Sequence, residues 1–564
     1  MFKDEKQVVF EDGLKNVILV ELLFPTVLLV FGIYHGFMQV LYRSGLIQRQ
    51  AVGGIEYYQG LTLHGVINAV VFTTFFAVAF GHALIRYYLE KEICIKAAVS
   101  SLVLMLIGTL LAAWAMFAGK ASVLYTFYPP LKAHPLFYIG LVFLVVGSWI
   151  AFFSWVPPYL QWRKENPGEK IPMGVLGIMA TFIVWFIATL PVAVEVIFML
   201  IPWSLGWVPT VNVVLARTLF WFFGHPLVYF WLLPSYIMFY VMLPKVAGAK
   251  LYSDFAGRFA FLMFIVFSAP VGLHHQYTEP GIKETWKMLQ GLLTFAVALP
   301  SFITAFTLAA SLEYGARQNG GTGLFSWWRK LPYTNEEDRW LFSYMFCGLF
   351  LFVFGGITGI INASYGMNQV VHNTAWMPGH FHMTVAGPVF LSFIGMTLIL
   401  VSQLLGKEVK LKLFINWVPY MWTIGIFLFS IGLSYGGVHG EPRRTNLGLT
   451  YLNPSSPLFR PDWQIQTAVT AIGGGIMTMA MVIYFVIFFT TLFSKKVHEP
   501  RVSFPTSEPL HDENISWVKN IRPWLVAAVL ALIVAYGPPL YEIYQAGITG
   551  SPAFGPDSPV SKEK

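Results

Sequence analysis

Residues 371–405 read VHNTAWMPGHFHMTVAGPVFLSFIGMTLILVSQLL. The run contains no Asp, Glu, Lys or Arg, yet it carries His372, His380 and His382. An apolar segment of about 20 residues is long enough to cross a bilayer as a helix. Ionisable side chains are costly there and are kept where they do something. His380 and His382 are two residues apart, about 200° around a helix of 3.6 residues per turn. One helix so built presents imidazoles on two opposite flanks, each able to ligate a different planar cofactor. Gly379, beside Pro378, is expected to let a large ring approach.

The rest of the chain has the same character. Its 564 residues are 56% hydrophobic, 17% aromatic and only 11% charged, and its mean hydropathy is +0.63. A soluble chain carries about 25% charged residues, so this one has too little polar surface to face water. Roughly thirteen segments satisfy the length rule for a span: 16–42, 59–89, 97–119, 134–162, 173–202, 213–243, 256–275, 285–316, 340–362, 371–405, 413–439, 464–493 and 523–544. Backbone groups in lipid must be satisfied within the segment. The expected fold class is therefore all-α, a polytopic membrane helix bundle of about 13 transmembrane helices. Residues 1–564 read as a single transmembrane domain, and the longest polar stretch, 494–522, reads as a loop. The first apolar run is too long for a signal-peptide core and reads as a retained span. Cys94 and Cys347 suggest neither a disulfide framework nor a Cys-rich metal site, and read as small buried residues. The +8 net charge comes from dispersed Lys and Arg and predicts no nucleic-acid partner.

Orientation follows from the basic residues. With the N-terminus inside, roughly 24 Lys and Arg fall in inner segments and roughly 12 in outer ones. An odd number of spans then puts the C-terminus outside. In that frame His64, His225, His380 and His382 each fall in the outer half of their helix, and His274 and His275 reach the same depth from below. Scattered packing histidines have no reason to share one layer. His35, His82, His134, His439, His498 and His511 read instead as interfacial, at span ends or in loops.

Spacing assigns geometry. His274 and His275 are adjacent, so both reach one metal only where the helix unwinds, and Pro280–Gly281 follows. His225 and Tyr229 are i and i+4, on one face. Three imidazoles without a thiolate suit copper or zinc better than magnesium or calcium. Haem iron is commonly held by axial His; two axial ligands close it and one leaves a face open. Glu21 and Glu195 are also intramembrane, with no role assigned by spacing.

The stretches QGLTLHG at 59–65, GHPLVY at 224–229, PVGLHH at 270–275 and HNTAWMPGHFH at 372–382 resemble subunit I of the haem–copper oxygen reductases, and most closely the B family, the ba-type cytochrome c oxidases. The resemblance covers nearly the whole chain. It implies that His64 and His382 are the axial ligands of a low-spin haem b and that His380 is the proximal ligand of a high-spin, A-type haem. It implies copper on His225, His274 and His275, with Tyr229 covalently joined to His225 and supplying an electron and a proton. His225 and Tyr229 are then the catalytic pair. Arg443 and Arg444, with His372, would hold the haem propionates, since a guanidinium matches a carboxylate bidentately. Tyr236, Tyr240, Ser253, Ser301, Thr304 and Thr307 match the family's single K-type proton channel. Small polar residues in spans also simply pack.

Two positions bear on the subfamily. In the A family a glutamate stands where this chain has Leu227, which favours the B family. Asn368 stands where an aspartate is expected near the propionates, so a role in proton exit is not carried over.

The implied function is the four-electron reduction of dioxygen to water with electrons from cytochrome c, coupled to proton translocation in a prokaryotic cell membrane. The implied partners are a subunit II with a dinuclear copper domain, with room for a small single-helix subunit. A quinol oxidase remains open, because subunit I does not fix the donor. A nitric oxide reductase of the same superfamily would place iron where copper is expected, and it normally lacks the tyrosine. A carrier cytochrome leaves the His274–His275 pair without a role. A transporter predicts internal repeats, and none is visible.

Overall fold

Apolar runs joined by short turns fold into thirteen principal helices among the described residues, 5–47, 53–333, 339–511, 513 and 515–546 of a computed structural model. They are α1 (Asp12–Arg43), α2 (Tyr57–Leu89), α3 (Ile95–Phe117), α4 (Pro135–Glu165), α5 (Met173–Ser204), α6 (Val213–Val241), α7 (Asp254–Phe267), α8 (Glu284–Gln318), α9 (Arg339–Ala363), α10 (Trp376–Leu405), α11 (Lys412–Val438), α12 (Pro461–Leu492) and α13 (Arg522–Gln545). Twelve are long and apolar enough to cross a membrane; α7, with 14 residues, is the exception. Local chemistry sets the ends. The Asn212 side chain accepts from the Leu215 N–H at 3.0 Å at the start of α6. Gly406 closes α10 in the left-handed region at φ 64°, which costs glycine nothing.

Two helices differ from the expected boundaries. The seventh stops at Phe267 rather than running on to 275. Pro270 has no N–H and restricts the residue before it. The chain leaves the helix there and re-forms a short 3₁₀ turn at Leu273–Gln276, which carries His274 and His275. The unwinding therefore comes before the histidines and not from Pro280–Gly281 after them. The tenth starts at Trp376 rather than 371. A separate seven-residue helix, Tyr365–Val371, precedes it, and the chain turns between the two, with Asn373 at φ 59°.

Among the described residues, three π-helical stretches interrupt the helices: Val66–Phe72 in α2, Val196–Leu200 in α5 and His382–Val389 in α10. Such bulges are rare and frequent at functional sites. Here they lie just after His64, just after Glu195 and beginning at His382.

Helices α2 and α10 form the centre. Their most apolar windows are 78% and 83% buried, against 22% for α13. Phe76 and Phe393 stack between them at 3.9 Å. Close approach elsewhere rests on glycine: a Cβ on Gly140 of α4 would stand 2.4 Å from the Gly108 carbonyl oxygen of α3.

On one face, residues 494–522 are more than a loop. They supply β2 (Pro509–His511), which pairs in parallel with β1 (Leu251–Ser253), and Val502 bridges to Val8 near the N-terminus. The opposite face carries Tyr128, Arg217, His372, Arg443 and Arg444.

Candidate haem and copper sites

His64 and His382 face one another with parallel rings, centroids 6.2 Å apart and planes inclined by 7°. They line a largely apolar cavity of about 290 Å³ with Gly36, Pro378, Phe381 and Phe429, and Arg443 and Arg444 also border it. Two imidazoles on opposite sides of one metal, each about 2 Å from it, have centroids about 6 Å apart, so the pair fits a haem iron between them. The backs of the rings are fixed. His64 Nδ1 lies 2.9 Å from the Gly32 carbonyl oxygen and His382 Nδ1 2.7 Å from that of Pro378. A carbonyl only accepts, so Nδ1 of His382 carries the proton and its Nε2 keeps its lone pair for a metal. At His64 the Gly32 carbonyl favours the same tautomer, and the Asn68 side-chain amide stands 3.1 Å from the same nitrogen. Space is made by α1: a Cβ on Gly36 would stand 2.6 Å from His64 Nδ1, and one on Gly32 1.9 Å from Asn68 Oδ1.

Gly379 does not admit a ring as expected. Its missing Cβ faces α11, 2.9 Å from Ser434 Oγ and 3.1 Å from the Ser430 carbonyl, so it serves helix packing. His380, on the other flank of α10, sets Nδ1 2.8 Å from Thr358 Oγ1 of α9.

His225, His274 and His275 converge, with one potential ligand atom from each lying within 4.8 Å of the others. Their ring centroids are 4.2 to 5.6 Å apart. Nε2 of His225 and of His275 are buried without a hydrogen-bond partner. Orphaned imidazole nitrogens aimed together are what a bound metal would satisfy. The Tyr229 ring stands 5.2 Å from that of His225, and Trp221 stacks on His275 at 3.9 Å and 8°.

A positive rim closes the side that carries Tyr128, Arg443 and Arg444. Arg443 is held by Asn373 Oδ1 at 2.5 Å, and Arg444 reaches Thr126 and Tyr128. Burial and the neighbouring Arg444 push the Arg443 guanidinium down to about 10. Burial raises the Tyr128 phenol, but Arg444, Arg443 and Arg217 outweigh it and hold it at about 8. Crowded cations that depress one another call for an anion. His372 Nδ1 meets Asn368 Oδ1 at 2.9 Å, and its buried Nε2 has no partner.

Residues 16–476 match the family described as cytochrome c and quinol oxidase polypeptide I. The chain belongs to that family. It is 38% identical over 504 residues, 87% of each chain, to cytochrome c oxidase subunit 1 of Thermus thermophilus, and 24% identical over 494 residues, 82% of each, to that of Synechocystis. A chain of a heme-copper terminal oxidase dimer, solved by electron cryomicroscopy, superposes with a TM-score of 0.94 at 52% identity, covering 98% of this chain and 96% of that one. This oxidase polypeptide I is a multi-pass membrane protein, the catalytic subunit of a terminal oxidase that uses haem and copper.

Beyond the histidine triad, the subunit's hydroxyls pair off. Tyr236 OH approaches Ser301 Oγ at 3.5 Å, and Tyr240 OH donates to Thr304 Oγ1 at 2.9 Å. Thr307 is buried on the same helix. Ser311, one turn further on, was not singled out by spacing; its Oγ accepts from the Tyr252 N–H at 2.9 Å. Ser253 is engaged otherwise: its Oγ caps α7, accepting from the Ala256 N–H at 3.1 Å.

Several polar residues read from sequence as interfacial or unassigned are buried in the oxidase core. His35 and His82 are buried rather than interfacial. His82 Nδ1 meets Glu21 Oε2 at 3.2 Å, with both side chains fully enclosed. Glu195 is equally enclosed, and neither carboxyl oxygen has a partner. Cys347 is buried, whereas Cys94 is exposed.

Proposed function

We propose that this subunit reduces dioxygen to water with four electrons from cytochrome c and translocates protons as it does so, as a B-family, ba-type oxidase. The observation that carries the reading is the triad of His225, His274 and His275 with Tyr229 beside it. Leu227, where A-family chains have a glutamate, supports the subfamily. The whole chain, 1–564, acts as one transmembrane unit.

The assignments are these. His64 and His382 hold a low-spin haem b, His380 a high-spin A-type haem, and the triad a copper ion. When bound, these groups supply the electron transfers and the place where oxygen is reduced. The chain's own residues do the rest. Tyr229, one helical turn from His225, gives up a proton and an electron, so that four electrons are on hand at once and partly reduced products do not escape. Tyr240 with Thr304 and Tyr236 with Ser301 form hydroxyl pairs along which a proton can be handed toward Tyr229, with Thr307 and Ser253 nearer the inner face. Arg443, Arg444 and His372 would bind the propionate carboxylates of the haems. The apolar walls keep water from the metals.

The chain sits in a prokaryotic cell membrane with its N-terminus inside. The clustering of β1, β2, the N-terminal segment and Lys245 on one face supports this. The C-terminal residues 547–564, expected outside, lie beyond the described residues. With only Cys94 and Cys347, on separate elements, electrons must arrive through a partner, a subunit II with a dinuclear copper domain, and a small single-helix subunit fits beside it. Oxygen uptake by the purified complex tests the donor. Reduced cytochrome c should sustain turnover and a quinol should not; the reverse would make this a quinol oxidase.

A further inference from the structure

The His274–His275 turn has no helix of its own to hold it. Four residues, Leu273–Gln276, form one 3₁₀ turn after the break at Pro270. Two of the three converging imidazoles depend on its orientation.

One side chain grips it from behind. Gln290 of α8 is fully buried. Its Oε1 accepts from the Leu273 N–H at 2.8 Å, and its Nε2 donates to the Ala535 carbonyl of α13 at 2.9 Å. The amide thus joins the residue immediately before His274 to the C-terminal helix. One turn along α8, Thr294 Oγ1 donates to the Gln290 carbonyl at 2.6 Å and stands 3.1 Å from His274 Nδ1. A hydroxyl has one proton. With that proton on the Gln290 carbonyl, Thr294 accepts from His274 Nδ1–H, and His274 offers Nε2. Helix α13 also touches the turn directly. Tyr536 stacks on Phe222 of α6 at 3.8 Å and 2°, and a Cβ on Gly272 would stand 2.2 Å from its hydroxyl. Yet α13 is the span least buried in the bundle and lies beyond the residues matched to the family, 16–476.

We propose that Gln290 is a positioning residue for the copper ligands and that α13 is the anchor it works against. In this assignment the Ala535–Tyr536 segment of α13 braces the turn that presents His274 and His275. The inference rests on reading His225, His274 and His275 as copper ligands.

The test uses the purified complex with Gln290→Leu, which keeps the bulk and removes both hydrogen bonds. A lost partner behind a metal ligand typically weakens metal binding 10- to 100-fold. We expect copper to be stripped by a correspondingly weaker chelator. We also expect the infrared band of carbon monoxide photolysed onto copper to shift or broaden, with the low-spin haem spectrum unchanged as the folding control. A parental copper affinity and a parental band would overturn the brace. Hydrogen exchange on the unmodified complex covers a variant that fails to assemble: the Leu273 amide should be strongly protected, and exchange at the rate of an open loop would overturn the proposal. Absence of copper from the unmodified complex would instead remove the copper reading itself.

Discussion

Thr358 has one hydroxyl proton, and the Gly355 carbonyl 2.7 Å away takes it. The oxygen is left to accept from His380 Nδ1 at 2.8 Å, which fixes the ring tautomer and leaves Nε2 as the ligand atom. Thr358→Val removes that acceptor. The variant should bind its high-spin haem 10- to 100-fold more weakly, read by haem titration, while Thr358→Ser restores it. Tyr229→Phe should keep both haems and lose at least about 100-fold in oxygen reduction, the scale of a removed proton donor. Unchanged turnover would take Tyr229 out of the mechanism. The convergence of the central histidines was legible in the sequence because an imidazole in lipid is an anomaly whose depth can be counted. His82 was misread for the same reason. It lies about two turns from the end of α2, which a single helix makes interfacial. Phe504, from a segment far along the chain, packs on Tyr87 and covers that end, and no count along α2 could anticipate it.

At the scale of elements, apolar length sufficed to place the twelve helices long enough to span, because an apolar run of about 20 residues in lipid satisfies its own backbone as a helix. The seventh run became the 14-residue α7 and a separate 3₁₀ turn. The π stretches left no comparable mark, since one extra residue in a turn does not disturb an apolar run. Nor did the true break in the seventh segment: Pro270 and Pro280 are both breakers, and only packing decides which one ends the helix. Two predictions belong here. Gly36→Ala puts a methyl where α1 leaves space for His64. Overpacking costs about 1–3 kcal/mol, so the low-spin haem band should weaken and the melting temperature fall. Tyr240→Phe breaks the hydroxyl pair with Thr304; turnover and proton uptake should fall together with both haem spectra intact. Full turnover would exclude that route.

The whole molecule has two unlike faces. One gathers β1, β2 and the N-terminal segment; the other gathers Arg43, Arg217, Arg443 and Arg444, with Arg43 paired to Glu441. Basic-residue bias gives the first face to the inside. Exposed Cys94, in the turn between α2 and α3, makes this testable, because Cys347 is buried. A membrane-impermeant maleimide should label the chain in inverted vesicles and not in right-side-out ones. Protons for water formation would then be drawn from the inner side, so the reaction itself charges the membrane. All of this depends on the metals assigned to the central histidines. Metal analysis of the purified complex with carbon monoxide difference spectroscopy tests that assignment most directly. The account predicts copper on the three-histidine site and two haem irons, of which only the one on His380 binds carbon monoxide. Two carbon monoxide-silent haems without copper, or non-haem iron in place of copper, would contradict it.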